Sequence, residues 1–165
     1  MLKGKKELGF RPRRYMNVLA SCLLDHFDQE QGLRGAEIGV ADGFTSSLLL
    51  HTFPSLFLFM VDSYRDRALH RDMGESLKKA RQHTTKVQDR RVIVVCDTEV
   101  ARRLFRKNSL DFVFIDALHS YAGCKKDLEL WVPCVRKGGL LTGHDYNSRK
   151  EVRGKWGVKK AVEEI

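Results

Sequence analysis

Nowhere does this chain hold an apolar run of about 18 residues, so no membrane-spanning helix is expected. Its longest greasy stretch, Leu56 to Val61 with Phe57 and Phe59 inside it, has the length of a strand. Residues 1–14 are basic (Lys3, Lys5, Lys6, Arg11, Arg13, Arg14) but lack the apolar segment of a secretory signal. Serine is missing there and Glu7 is present, which argues against a transit peptide and leaves a mobile basic leader as the expectation. No C-x-x-C pair links Cys22, Cys96, Cys124 and Cys134. The four are expected to be buried free thiols in a reducing, cytoplasmic compartment. Repeats, low-complexity tracts and linkers are also absent, and 165 residues fit one domain with a real core. The basic excess, 30 against 21 acidic residues for a formal charge of +9, comes without the aromatic-interleaved motif of RNA-binding modules. Nucleic acid is therefore not the expected partner. A solvated basic surface or an anionic small molecule accounts for the charge.

The chain does contain apolar runs alternating with helical patterns, the signature of a parallel sheet covered by helices. Met16, Leu19, Leu23, Leu24 and Phe27 mark an amphipathic helix over 15–29, ended by Gly32. Strands are expected over 34–40, 56–61, 91–96, 111–115 and 139–142. Helices are expected over 45–51, 69–84, 99–106, 121–131 and from 158 to 164, with Pro54 and Pro133 as stops. Five strands with intervening helices predict a doubly wound α/β fold, in which ligands bind at the carboxyl ends of the strands.

The first strand runs into Glu37-Ile38-Gly39-Val40-Ala41-Asp42-Gly43. Gly39 permits a tight turn, Gly43 permits a close helix approach, and Ala41 leaves room beside the backbone. A glycine turn of this kind can equally be structural. The dinucleotide pattern G-x-G-x-x-G fails, because Ala41 and Phe44 stand at its second and third glycines. Asp62, at the end of the second strand and about 20 residues past the turn, is placed to accept from ribose hydroxyls. It could also serve only as a turn or cap residue. Asp97, ending the third strand, could accept from an adenine amino group or cap the next helix.

Together with Asp62-Ser63-Tyr64, Asp97, the block Asp111 to Tyr121, Asp127-Leu128 and the block Lys137 to Tyr146, these residues carry a resemblance. The chain resembles the class I S-adenosylmethionine (AdoMet)-dependent methyltransferases, in particular the small-molecule O-methyltransferases grouped with sugar- and antibiotic-modifying enzymes. The resemblance implies a Rossmann-like methyltransferase core over 34–165, preceded by the leader and N-terminal helix of 1–33. It implies that Glu37, Gly39, Val40, Ala41, Asp42 and Gly43 hold the methionine side of AdoMet, that Asp62 with Ser63 holds the ribose, that Asp97 and Thr98 flank the adenine, and that Asp116 borders the cofactor. Such folds normally add a sixth and seventh strand after the fifth helix, so the core is expected to be truncated at its carboxyl end. The fifth strand then becomes an edge that could pair in a homo-oligomer.

The reaction needs an acceptor hydroxyl held in line and relieved of its proton. Neighbouring strand ends lie roughly 4.8 Å apart, so Asp116 after the fourth strand and His144-Asp145 after the fifth could converge on a cation. In catechol-type O-methyltransferases, which this chain resembles, those positions bind the metal. The imidazole of His144 replaces an acid there, which brings manganese or zinc into play beside magnesium. His119 falls where that group has a basic catalytic residue, and could equally be a loop residue capping the helix at Tyr121. The expected function is methyl transfer from AdoMet to a hydroxyl of a small molecule, such as a sugar. The alternatives are a non-catalytic nucleotide-binding relative and, disfavoured by Ala41 and Phe44, a nicotinamide-dependent oxidoreductase.

Overall fold

The fold was established from a computed structural model that describes residues 8–65, 72–148, 151, 153 and 156–165. Most of the basic leader, residues 1–7, lies outside this set, as does the start of the helix expected from position 69. Five strands, β1 (Leu33–Ile38), β2 (Leu56–Asp62), β3 (Arg91–Val95), β4 (Leu110–Ile115) and β5 (Val135–Gly143), form one sheet in the order β3-β2-β1-β4-β5. Every pairing is parallel. The chain reverses its direction of travel between β1 and β4, and that switch point fixes where a ligand crevice opens.

Period-two alternation sorts the side chains of the sheet between two cores. Leu58, Met60, Phe112 and Phe114 point into one; Val61, Val113 and Ile115 point into the other. Helices α1 (Arg14–His26), α2 (Phe44–Thr52) and α3 (Met73–His83) cover the first core, and α4 (Thr98–Arg102), α5 (Tyr121–Trp131) and α6 (Val158–Glu163) cover the second. Helix α2 is buried nearly all round, from Thr45 to Leu50 and at Thr52, because it is wedged between the sheet, α1 and α3. Helix α1 contributes Met16, Leu19, Ala20 and Leu23 to that same core.

Three elements depart from the sequence reading. The stretch expected as helix to Thr84 ends at His83 and continues as a 3-10 turn, Thr85–Arg90. Helix α4 stops at Arg102 rather than Arg106. Strand β5 begins at Val135, well before Gly139, passing through Gly138 at φ +73° and a register slip opposite Leu110–Phe112. A side-chain anchor holds this irregular stretch: Asp111 accepts from the Arg34 amide at 2.7 Å and from Arg136 Nε at 2.6 Å. The cysteines are all free, but only Cys124 and Cys134 are buried; Cys22 is exposed, because it lies on the outer face of α1. Among the described residues β3 and β5 are the sheet edges, and no helix is long and apolar enough to cross a membrane.

Candidate functional site at the carboxyl ends of the strands

At the end of β1 the backbone turns through Gly39 at φ +90° and Ala41 at φ +48°, reaching α2 through Gly43 at φ +75°. A Cβ on Gly43 would sit 2.8 Å from Ala80 Cα, so the turn depends on close contact with α3. Asp62 secures the loop. Its Oδ2 accepts from the amides of Val40 and Ala41, both at 2.9 Å, and its Oδ1 accepts from the Tyr64 amide at 2.8 Å. The carboxylate expected at a ribose is thus also the clamp of the glycine loop, and Ser63 sits between it and Tyr64 in the same turn. His83 adds a second anchor through Nδ1, 2.7 Å from the Asp42 carbonyl, with its ring stacked on Phe44 at 4.2 Å.

Glu37 is buried to 2% exposure on the last turn of β1. Ser46 on α2 donates to Oε2. Burial, reinforced by the nearby carboxylates of Asp116 and Asp62 and only partly opposed by Ser46, pushes its pKa to about 8. The folded value is raised, so the stabilisation is complete below the unfolded value near 4.5 and is lost as pH rises through about 8. At about 1.4 kcal/mol per pH unit, unfolding free energy should drop by about 2–3 kcal/mol between about pH 6 and about pH 8.5. Urea melts of the protein and of Glu37→Gln check this: the substituted chain should lose most of that slope, and an unchanged slope would assign it to another group.

At the third strand end the side chains of Asp97 and Thr98 have partners within the chain. Asp97 does not cap α4 with its side chain; it lies 3.4 Å from Arg65 Nη1. The Thr98 hydroxyl accepts from Trp131 Nε1 at 2.8 Å and shares a hydrogen bond with Asp127. Asp127, 2% exposed, has its pKa pushed to about 6 by burial despite that bond.

Asp116, His119, His144 and Asp145 converge beyond β4 and β5. Asp145, at φ +66°, sets its Oδ2 between the two imidazoles: 2.9 Å from His119 Nε2 and 2.8 Å from His144 Nδ1. Asp116 Oδ1 lies 3.5 Å from His119 Nε2 and 3.7 Å from His144 Nδ1. Donor atoms of Asp116, His144 and Asp145 fall within 4.8 Å of one another, close enough for one cation. The helix cap that His119 might have supplied comes instead from Ser120, whose Oγ accepts from the Gly123 amide. Hydrogen bonding to Asp116 raises the His119 pKa, burial lowers it, and the charges of Asp145 and Asp116 raise it further. A cavity of about 160 Å³ opens behind the cluster, with Leu118, Cys124, Leu128, Leu141 and Tyr146 in its walls.

Two aromatic residues of this site escape sequence reasoning. The Gly157 amide donates to the His119 carbonyl, bringing Trp156 onto the His119 ring at 4.1 Å and 22°. Tyr15 of α1 lies against His144, ring centroids 4.2 Å apart. Neither carries a local motif, since each meets its histidine only through the tertiary fold.

The sequence profile of a methyltransferase domain matches residues 36–146. No curated protein matches the chain. Among solved structures, the SAM-dependent O-methyltransferase of Thermotoga maritima is similar at 19% identity and TM-score 0.66, over 94% of this chain and 51% of its own. An O-methyltransferase of Bacillus cereus, solved in complex with SAH, is similar at 17% identity and TM-score 0.66, over 94% of this chain and 70% of its own. Precorrin-8w decarboxylase of Methanobacterium thermoautotrophicum is similar at 10% identity and TM-score 0.64, over 99% of this chain and 77% of its own. At such identities the likeness is one of fold, and a fold shared with a decarboxylase does not select the reaction. The chain spans about half the length of the Thermotoga enzyme.

Proposed function

Since this chain belongs to the methyltransferase-domain family, we propose that it transfers the methyl group of AdoMet to a hydroxyl of a small molecule. The observation that carries this reading is the meeting of Asp116, His119, His144 and Asp145 directly beyond the switch point, beside the glycine loop. The residues suit the cofactor. Gly39 and Gly43 let the loop pack against the Asp116 backbone and against Ala80 of α3, and the buried carboxylate of Glu37 lacks a cationic partner among the groups that set its pKa, which an α-ammonium would supply. Asp62, after accepting three amides, keeps about one lone-pair site, on Oδ1, for a ribose hydroxyl. Val40, Ala41, Asp42 and Gly43 would contribute backbone, Ser63 the turn beside the ribose, Asp97 and the Thr98 backbone the adenine edge, and Asp116 the border toward the methyl group. AdoMet, when bound, supplies an electrophilic methyl on a sulfonium.

His119 Nε2 would take the acceptor proton, and Asp145 and Asp116 would stabilise the imidazolium that results. The face of Trp156 shields that ring from water. Asp116, His144 and Asp145 would hold a divalent cation, magnesium or manganese, which makes a bound hydroxyl more acidic. The cavity is smaller than the roughly 300–1,000 Å³ of ordinary ligand pockets, so it would take only part of an acceptor. The net charge of +9 favours an anionic one.

The test is calorimetric titration with AdoMet and NAD, followed by transfer of radiolabelled methyl to a panel of hydroxylated metabolites, with and without a chelator. AdoMet should bind and NAD should not. Asp145→Ala should reproduce the effect of the chelator on turnover while changing AdoMet affinity by less than about threefold, within about 0.7 kcal/mol. Binding of NAD in place of AdoMet would overturn the reading. Chelator-insensitive transfer would remove the cation and leave His119 as base.

A further inference from the structure

We propose that Tyr15 is a positioning residue of this reaction centre, backing the His144 imidazole from the core that α1 shares with α2, so that α1 is part of the site; this rests on the methyl-transfer reading. His144 follows the last residue of β5, a sheet edge among the described residues, so no neighbouring strand supports it on its outer side. Tyr15 supplies that support from the first turn of α1, its ring 4.2 Å from the imidazole and inclined at 54°. The contact fixes the ring plane while Nδ1 faces Asp145 at 2.8 Å and Asp116 at 3.7 Å. The Tyr15 ring also packs against the core that holds Leu48, Leu49 and Leu50 of α2.

One aromatic side chain therefore registers the β5 end against the glycine loop, the two halves that must align for in-line transfer. Helix α1 can bear this load because Met16, Leu19 and Leu23 are no more than 6% exposed and pack in one core with Leu48, Leu49 and Leu50 of α2. Tyr15 thus acts by packing its ring against the His144 imidazole. The pair stands at opposite ends of the sequence, and the pattern that marks α1 as amphipathic says nothing about it.

Tyr15→Leu and Tyr15→Phe in the full chain test this, with Leu19→Ala as a control for loosening α1. Ring currents from Tyr15 should displace the His144 ring protons in the NMR spectrum. Tyr15→Leu should abolish the displacement, weaken manganese binding about tenfold by calorimetry, and lower kcat tenfold to a hundredfold with KM for AdoMet changed less than about threefold, because small misplacements of a reacting group are penalised steeply. Tyr15→Phe should restore the displacement and most of kcat. Unmoved His144 resonances in Tyr15→Leu, or losses in kcat and KM that merely track those of Leu19→Ala, would overturn the proposal. If the unsubstituted protein transfers no methyl group, the functional reading fails, and the resonances and manganese affinity still decide the role of Tyr15.

Discussion

Valine at position 39 is expected to leave little folded protein. Gly39 sits at φ +90°, a region that β-branched residues scarcely enter. A Cβ there would lie 2.2 Å from the Asp116 carbonyl oxygen, 2.6 Å from its carbon and 2.8 Å from Ala117 Cα. These are backbone atoms at the end of β4, held by the Asp116 amide donating to the Ile38 carbonyl at 2.8 Å. The Gly39 amide is itself committed to the Val61 carbonyl at 2.9 Å. The clash can be relieved only by parting β1 from β4 in the middle of the sheet. A loss of more than about 4 kcal/mol follows, in the exceptional tail for single substitutions and a large share of an ordinary domain's margin of roughly 5–15 kcal/mol. Circular dichroism should show an unfolded chain, or a melting temperature lowered by about 10 °C or more. AdoMet binding would vanish with the fold, so ligand room is the lesser of the two constraints on this glycine. Gly138→Ala is the contrast: φ is +73° there too, but the nearest atom to a new Cβ is Arg136 Nη1 at 3.6 Å. Its cost should be only about 1–2 kcal/mol. Similar melting temperatures for the two variants would refute this account of Gly39.

His119→Ala should lower turnover by a factor on the order of 10²–10⁴, the usual range for losing a general base, while leaving the fold and AdoMet affinity intact. The expectation rests on geometry: Nε2 is held 2.9 Å from Asp145 and 3.5 Å from Asp116, and the ring is stacked on Trp156 rather than packed in a core. Ser120 caps α5, so removing the imidazole takes no cap from the helix. Residual turnover should climb with pH as an ionised acceptor replaces the lost base. Single-turnover methyl transfer over a pH series checks both points. Wild-type turnover in His119→Ala would assign deprotonation to a cation that Asp116, His144 and Asp145 would hold. A collapse of AdoMet affinity would mean that His119 belongs to the cofactor site.

The sheet was legible because each strand is a compact apolar run between turn residues, and the five runs recur in the structure with ends shifted by a residue or two, β5 excepted. Strand β5 starts ahead of the expected Gly139 because the anchoring of Arg136 and Arg34 on Asp111 carries the ladder through Lys137-Gly138. The brevity of α4 follows from its own packing, with Arg102 spending its guanidinium on the carbonyls of Leu130 and Phe105 rather than extending the helix. The candidate site was legible as far as proximity goes: Asp116, His119, His144 and Asp145, singled out from the sequence at two strand ends, lie together in the structure. The hydrogen bond from Trp131 to the Thr98 hydroxyl was not legible, because the two residues meet only through the tertiary fold.

What the sequence alone determined is what local rules govern: alternating runs specify a parallel sheet between helices, and strand termini rich in Gly, Asp and His mark a candidate site. Tertiary structure alone decided which of those groups touch. The parallel order β3-β2-β1-β4-β5 sets the β4 and β5 ends side by side and brings α1 over them. Only then do Tyr15 meet His144 and Trp156 meet His119, and only then does Asp145 stand between two imidazoles. Contacts of this kind depend on the relative placement of whole elements, and no local period or spacing encodes that placement.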